Sequence, residues 1–174
     1  MYISNEFSRL EINLNGCLEN YRYFRSRLEA STRLLVLVKA NAYGHGAVQF
    51  ASLMEDAGAD YLAVAYPVEG IELRQAGIKS PIIVLTAGTD SFEQIVNYGL
   101  EPGIPNLCAL KELCAVLEKR GVSDFPVHIK LDTGMHRLGF MTEELAELQD
   151  FLKGCTYVRV KSVYSHLAAA DDPA

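Results

Sequence analysis

Short apolar runs alternate with amphipathic helical patterns along most of this 174-residue chain. An uninterrupted run of branched apolar residues is typical of a strand that is buried on both faces of a parallel sheet. Six strands are expected from residue 34 onward, beginning at Leu34, Tyr61, Ile82, Leu100, Val127 and Tyr157, and the one at Leu100 is weaker because Pro102 and Gly103 interrupt it. Because a helical pattern follows each of the first five runs, the chain predicts repeated βαβ units and a parallel sheet.

Two α/β architectures accommodate this alternation. A doubly wound open sheet suits six strands, but no Gly-x-Gly-x-x-Gly follows an early strand, so a dinucleotide-binding version has no support. A (β/α)8 barrel of the TIM type also fits the regular alternation of strands and helices, although such a barrel usually takes about 250 residues. We therefore expect an incomplete TIM-type barrel with about six βα units, its strands within residues 34–174. The polar–apolar alternation that begins at Arg9 predicts an opening strand within residues 1–15.

Composition and charge argue against several functional classes. The formal net charge is −6 and the charges are dispersed, which disfavours binding to nucleic acid or to an anionic membrane surface. No apolar run is as long as a transmembrane helix, and the polar N-terminus does not resemble a signal peptide. The four cysteines (Cys17, Cys108, Cys114 and Cys155) show no CxxC spacing. We therefore expect free, buried thiols, no metal site and a cytoplasmic protein.

Polar side chains follow the predicted strands at the edge where a barrel enzyme carries its chemistry. The strand ends and the loops after them contain Lys39, Tyr43, Tyr66, Thr86, Lys130, Asp132, Arg137 and His166. So many cationic groups at one edge of an acidic protein indicate an anionic ligand or cofactor.

Lys39 ends the first apolar run and has two interpretations. Its stem could be buried while the amine reaches water. Alternatively, burial beside other cations lowers the amine pKa from about 10.4 and makes the neutral, nucleophilic form available. Such an amine could form a Schiff base with an aldehyde substrate or with pyridoxal phosphate. Tyr43, in the adjoining loop, could reach a phosphate oxygen or pack over the barrel rim.

Three segments resemble the hallmark segments of the alanine racemases, which are pyridoxal-phosphate-dependent enzymes of fold type III. Residues 38–46 (VKANAYGHG) resemble the cofactor attachment signature, residues 127–140 (VHIKLDTGMHRLGF) the second segment, and residues 164–171 (YSHLAAAD) the third. Residues 9–15 also resemble the family's opening strand. The resemblance implies that residues 1–174 are the N-terminal part of the racemase barrel domain, without the last barrel strands and the C-terminal β-domain.

The resemblance implies specific roles for three of these residues. Lys39 is expected to be catalytic: it holds pyridoxal phosphate as an internal aldimine and exchanges the α-proton on the D-alanine face. Tyr43 is expected to bind the cofactor phosphate. Arg137 is expected to bind both the cofactor phenolic oxygen and the substrate carboxylate, a task that suits its rigid planar guanidinium.

The resemblance also suggests roles for three further residues and marks one departure from the family pattern. Lys130 matches a lysine that is often carbamylated in this family, which would turn a cation beside Arg137 into an anion that orients it. His166 matches a histidine that contacts an arginine at the pyridine nitrogen, and Asp171 would lie in the substrate entry corridor. His136 replaces the usual glycine, as in racemase modules that are fused behind a Mur ligase.

The implied function is interconversion of L-alanine and D-alanine for peptidoglycan synthesis by a homodimeric isomerase. The family's second base is a tyrosine of the partner subunit's C-terminal domain, so we expect the 174-residue chain to be inactive alone. Two alternatives are a non-catalytic protein that binds pyridoxal phosphate for cofactor homeostasis, and another barrel enzyme on this cofactor, such as a broad-specificity amino-acid racemase or a decarboxylase. Because six strands cannot close an eight-stranded barrel, two open sheet edges are also expected.

Overall fold

The computed structural model describes residues 10–170 and residue 172. It contains a six-stranded, all-parallel sheet in which the strands lie side by side in sequence order. The strands are β1 (Leu35–Leu37), β2 (Tyr61–Val64), β3 (Ile82–Val84), β4 (Glu101–Ile104), β5 (Phe125–Lys130) and β6 (Val158–Tyr164). The six predicted strands are therefore confirmed.

One helix precedes the first strand, and further helices connect the successive strands. They are α1 (Leu14–Ser26), α2 (Lys39–Tyr43), α3 (Ala47–Asp56), α4 (Pro67–Gln75), α5 (Phe92–Asn97), α6 (Leu107–Arg120) and α7 (Leu145–Gly154). A doubly wound sheet would reverse its strand order at one point, whereas here each strand adds beyond the last, which is the winding of a (β/α) barrel. Within the described ranges, no helix has both the length and the apolar composition needed to cross a bilayer.

The start of the described chain differs from the predicted opening strand. Residues 1–9 lie outside the described residues, residues 10–13 are not in a strand, and α1 already includes Leu14. The side-chain oxygen of Asn13 accepts a hydrogen bond from the Gly16 amide at 3.1 Å. This N-cap satisfies an amide that has no partner within the helix, so the helix begins earlier than the polar–apolar alternation suggested.

The hydrophobic core lies between the sheet and the helices. Alternate strand residues that face the helices are fully buried, among them Leu62, Val64, Ile82, Val84, Ile104 and Val127. They pack with the apolar face of α6, whose Leu110, Leu113 and Leu117 are also fully buried. The Asn106 side chain caps this helix by accepting a hydrogen bond from the Ala109 amide at 2.9 Å, as the sequence predicted.

The opposite face of the sheet carries a small apolar cluster and a polar chain. Tyr61, Ala63 and Ile83 form the cluster. Beside it, His128 on β5 is 1% exposed and lies between Glu101 on β4 and Ser162 on β6. This face therefore links three adjacent strands through side-chain hydrogen bonds.

The sheet edges and the cysteines can be compared with the predictions from the sequence. Among the described residues, β1 and β6 are the edges of the sheet, and Leu37 on β1 and Val163 on β6 are exposed. This agrees with the expected open edges. All four cysteines are free as predicted, but only Cys114 is buried, whereas Cys17 and Cys155 are half-buried and Cys108 is exposed.

Candidate active site

Lys39 follows β1 directly and begins a turn of left-handed backbone. Ala40, Asn41, Ala42 and Tyr43 have φ angles of 50°, 54°, 51° and 54°. A residue with a Cβ atom loses roughly 1–2 kcal/mol in this conformation, so four in succession form only where the surroundings impose it. The short helix α2 is therefore a left-handed turn that other parts of the fold must hold in place.

The carboxylate of Glu69, in the first turn of α4, holds the start of this turn. One oxygen accepts a hydrogen bond from the Ala40 amide at 2.6 Å. The other accepts from the amides of Ala65 and Tyr66 at 2.7 and 3.0 Å. A single charged side chain thus connects the end of β2 to the residue after Lys39.

Side chains of the turn itself hold its other end. The Asn41 side-chain oxygen accepts a hydrogen bond from the Ala47 amide at 2.7 Å and so fixes the start of α3. His45 Nδ1 lies 2.7 Å from the Ala42 carbonyl oxygen, and the His45 ring packs at a tilt against Phe50. The turn is consequently anchored to both α3 and α4.

The left-handed turn presents Lys39 and Tyr43 near each other. The Lys39 amine lies 5.8 Å from the centroid of the Tyr43 ring. Tyr43 is 58% exposed, so its hydroxyl is open to a ligand. The amine and the phenol form one polar pair at the carboxyl end of β1.

Tyr66 and Thr86, the polar residues that the sequence analysis placed at the ends of β2 and β3, are also exposed.

A second group of polar residues follows β5. Lys130 is the register partner of Tyr164 on β6, and its amine lies 5.1 Å from the centroid of the Tyr164 ring. Burial and the nearby Arg137 guanidinium lower the pKa of Lys130, while Asp132 partly opposes this effect. The structure therefore brings Lys130 and Arg137 close enough for their charges to repel.

Asp132 organises the loop that carries Arg137. Its carboxylate accepts hydrogen bonds from the amides of Gly134 and His136, both at 3.0 Å. These two bonds keep the pKa of the Asp132 carboxyl below its usual range. His136 has a φ of 52°, so this residue also adopts a left-handed conformation at the loop tip.

The far end of the loop returns to β5. The Phe140 amide donates to the Lys130 carbonyl at 2.8 Å, and the Asp132 amide donates to the Phe140 carbonyl at 3.0 Å. Gly139 has a φ of 126°, and a Cβ atom there would lie 2.5 Å from the Asp132 nitrogen and the Leu131 carbonyl carbon. Only glycine permits this approach, so Gly139 lets the loop that carries Arg137 close against the end of β5.

The loop after β6 lies beside the loop after β5. A Cβ atom built on Gly134 would lie 3.9 Å from the Ala168 Cβ. His166 follows β6 by two residues and is exposed, whereas Asp171 lies outside the described residues. In the described part of the chain, no hydrogen bond or ion pair joins these loops to Lys39. The two polar groups share the carboxyl-end edge of one parallel sheet.

Comparison with known proteins identifies the family. Residues 12–174 match the family described as alanine racemase, N-terminal domain. The chain belongs to the alanine racemase family. It is 42% identical over 166 residues to the alanine racemase of Synechocystis sp., a match that covers 94% of this chain and 44% of that protein. It is 40% identical over 167 residues to the alanine racemase of Nostoc sp., with 94% and 43% coverage.

Solved structures of alanine racemases share the fold. The alanine racemase of Clostridium difficile 630 superposes with a TM-score of 0.84 at 35% identity, covering 89% of this chain and 41% of that chain. Together with the sequential order of the parallel strands, this confirms the predicted TIM-type barrel fold. The chain spans less than half the length of the curated alanine racemases that it matches.

Pyridoxal phosphate is the cofactor that membership of the racemase family implies, and the donors at this edge suit an anionic aldehyde. Lys39 supplies a primary amine, Tyr43 an exposed phenol, and Arg137 a planar guanidinium. An amine can hold the aldehyde, while the phenol and the guanidinium can donate to phosphate or phenolate oxygens. The side chains in the described part of this racemase domain therefore fit the group.

Two residues that shape the candidate site were not predicted. Glu69 carries no sequence signal for its role, because its partner Ala40 lies 29 positions earlier in the chain. Gly139 lies within a recognised segment, and its position after Arg137 could have indicated a tight return to the strand. Both act on the site by fixing backbone rather than by presenting a side chain to a ligand.

Proposed function

We propose that this racemase-family chain takes part in the interconversion of L-alanine and D-alanine with pyridoxal phosphate, as a cytoplasmic source of D-alanine for peptidoglycan. The observation that carries the proposal is the position of Lys39. It lies on a left-handed turn held by Glu69, at the same sheet edge as Lys130 and Arg137. A strained turn maintained by long-range contacts is typical of a functional site.

Lys39 has two proposed tasks. Its amine would hold the cofactor at the end of β1, and it would then accept and return the substrate α-proton on one face. When bound, pyridoxal phosphate withdraws electrons from the α-carbon and makes that proton acidic. The Glu69 hydrogen bond to the next residue restricts how far the Lys39 backbone can move, which keeps the amine at one position relative to the α-carbon.

Tyr43 and Arg137 would bind the negative charges of the cofactor and substrate. The exposed Tyr43 hydroxyl can donate to a phosphate oxygen. Arg137 can donate in parallel to both oxygens of a carboxylate, which orients the substrate by its carboxyl group. Asp132 and Gly139 close the loop that carries Arg137, so the backbone from which the Arg137 side chain extends is fixed.

Lys130 and His166 would act on Arg137 and on the cofactor ring, respectively. The lowered pKa of Lys130 increases the fraction of its amine that is neutral, and the neutral amine is the form that adds to carbon dioxide, giving a carbamate and releasing one proton. The resulting anion would attract and orient Arg137. His166, exposed beyond β6, would support an arginine that contacts the ring nitrogen.

Racemisation also requires a group that exchanges a proton on the opposite face of the α-carbon. The family resemblance assigns this task to a tyrosine of a partner subunit, so we propose that the working enzyme is a homodimer. On this proposal the 174-residue chain is inactive alone. Alanine racemisation by the purified chain at the rate of an intact racemase would contradict it.

The cofactor proposal is tested by trapping the modified lysine. The chain is incubated with pyridoxal phosphate and reduced with borohydride, and the modified peptide is located by mass spectrometry. We expect labelling at Lys39 and its loss in Lys39→Arg. The matched control is Lys119→Arg, at an exposed lysine near the end of α6, which should label normally. Equal labelling of Lys39→Arg and the unaltered chain would overturn the assignment.

A further inference from the structure

We infer that Cys114 and Cys155 form a site of reversible oxidation, at which hydrogen peroxide produces a disulfide between α6 and the end of α7. The two sulfur atoms lie 3.4 Å apart, although the residues are 41 positions apart in the chain. Both are free thiols. This pair lies in the helical layer and contains none of the residues at the carboxyl ends of the strands.

The backbone around the pair permits the remaining approach. A disulfide bond is about 2.05 Å long, so the sulfur atoms must move closer by roughly 1.4 Å. Cys114 is fixed within α6, between the buried Leu113 and Leu117. Cys155 lies just beyond the last residue of α7 and has extended backbone angles of −99° and 116°. Its side chain can therefore move without breaking a helix.

The two thiols differ in access to solvent. Cys114 is 7% exposed, whereas Cys155 is half-buried. Burial, together with the neighbouring Cys155 sulfur, raises the pKa of the Cys114 thiol to about 12. Cys114 consequently remains protonated at neutral pH, and Cys155 is the sulfur that meets the oxidant first.

The chemistry requires one peroxide and two thiols. The Cys155 thiolate attacks one peroxide oxygen, so that an S–O bond forms, the O–O bond breaks, and the released hydroxide becomes water with one proton. Cys114 then gives up its proton as its sulfur attacks the Cys155 sulfur. An S–S bond forms, the S–O bond breaks, and the second hydroxide leaves as water with the Cys114 proton. The two thiols lose two electrons, which reduce one peroxide.

The other two cysteines provide internal controls. Cys108 is exposed and its sulfur lies 3.6 Å from a carboxylate oxygen of Glu112, while Cys17 lies on α1. Neither sulfur is within bonding distance of another sulfur among the described residues. A Cys17→Ser/Cys108→Ser double variant therefore isolates the proposed pair.

The test measures cross-linking in this double variant after treatment with hydrogen peroxide. We expect the two remaining thiols to disappear together, with a mass loss of two hydrogen atoms and a cross-linked peptide that contains Cys114 and Cys155. Dithiothreitol should restore both thiols. The cross-link should raise the thermal midpoint reversibly by roughly 5 to 10 °C, because it closes a long loop.

A third substitution separates cross-linking from oxidation of one thiol. Adding Cys155→Ser to the double variant should abolish the peroxide-dependent rise in the thermal midpoint. The inference is overturned if peroxide adds oxygen to Cys155 without a cross-link, or if the cross-linked species are all intermolecular. The cross-linked peptide can also be sought in the unaltered chain with all four cysteines, where the result does not depend on how any variant folds. Cofactor binding does not enter the measurement.

Discussion

The Ala40 amide donates a 2.6 Å hydrogen bond to the carboxylate of Glu69, a residue 29 positions later in the chain. The same carboxylate accepts hydrogen bonds from the amides of Ala65 and Tyr66. Glu69 therefore links the residue beside Lys39 to the segment between β2 and α4. Because the left-handed turn after Lys39 is intrinsically unfavourable, this long-range contact is needed to hold it.

Replacing Glu69 with alanine should destabilise the domain and loosen the turn. Three amides lose a charged acceptor, so we expect the free energy of unfolding to fall by about 2 kcal/mol. Urea denaturation measures this change. Glu72→Ala, at an exposed position on the same helix, should change stability by less than about 0.5 kcal/mol. Equal effects of the two substitutions would contradict the anchoring role of Glu69.

Replacing Gly139 with alanine should disrupt the loop that carries Arg137. The new Cβ atom would lie 2.5 Å from backbone atoms, at a φ of 126° that disfavours any residue with a side chain. We expect a loss of about 2 kcal/mol or more in unfolding free energy, measured by urea denaturation. Gly154→Ala is the matched control, because no atom lies within 4 Å of its added Cβ atom. That variant should be neutral or slightly stabilised, and a similar loss at both positions would refute the steric argument.

Lys130 should lose its proton at a lower pH than an exposed lysine. Burial and the Arg137 charge lower its pKa from the ordinary value of 10.5. The rate of acetylation of each lysine against pH, resolved by mass spectrometry, measures this difference. The Lys130 profile should lie at lower pH than that of the exposed Lys119. Arg137→Gln should move the Lys130 profile back toward higher pH, and an unchanged profile would exclude the proposed charge repulsion.

The same shift predicts how stability depends on pH. Below the lowered pKa, charged Lys130 is disfavoured in the folded state relative to the unfolded chain, and folding carries that full cost. The cost decreases as pH rises through the lowered pKa toward 10.5, where the unfolded chain also loses its proton. Removing the amine with Lys130→Met should therefore abolish this alkaline gain in stability, which urea denaturation across the pH range would detect.

Glu101 and His128 should be energetically coupled. The Glu101 carboxylate lies 2.8 Å from His128 Nε2 in a buried environment, and Ser162 Oγ lies 2.7 Å from Nδ1. Glu101→Ala leaves a buried ring nitrogen without its partner, so we expect a loss of about 1–3 kcal/mol in unfolding free energy. A double-mutant cycle with His128→Ala measures the coupling.

Glu101→Gln serves as the control for this buried pair, because its amide retains a hydrogen-bonding group at the same position. It should cost less stability than Glu101→Ala. Additive effects of Glu101→Ala and His128→Ala would show that the observed contact contributes nothing to stability.

Much of the fold follows from local sequence patterns. The first three strands are continuous apolar runs, and such runs are stable only where both faces are covered, which points to a parallel sheet between helices. The helix at Leu107–Arg120 has an asparagine N-cap and leucines spaced three or four residues apart, so its start and its buried face were both predictable. The start of α1 at Leu14 was not predictable, and a strand was expected there instead. A polar–apolar alternation does not reveal whether a neighbouring strand or a helix N-cap will satisfy the backbone amides.

The sequence by itself determined the six strands, their order along the chain, and the three segments that resemble the racemase family. Only the tertiary structure decided how these segments are held. The left-handed turn at Ala40–Tyr43 depends on Glu69, the buried His128 depends on Glu101 and Ser162, and the Cys114–Cys155 pair depends on how α6 and α7 pack. Each of these contacts joins residues between 27 and 41 positions apart. Local patterns reveal backbone propensity and burial, whereas contacts between distant residues depend on the packed arrangement of the whole sheet and its helices.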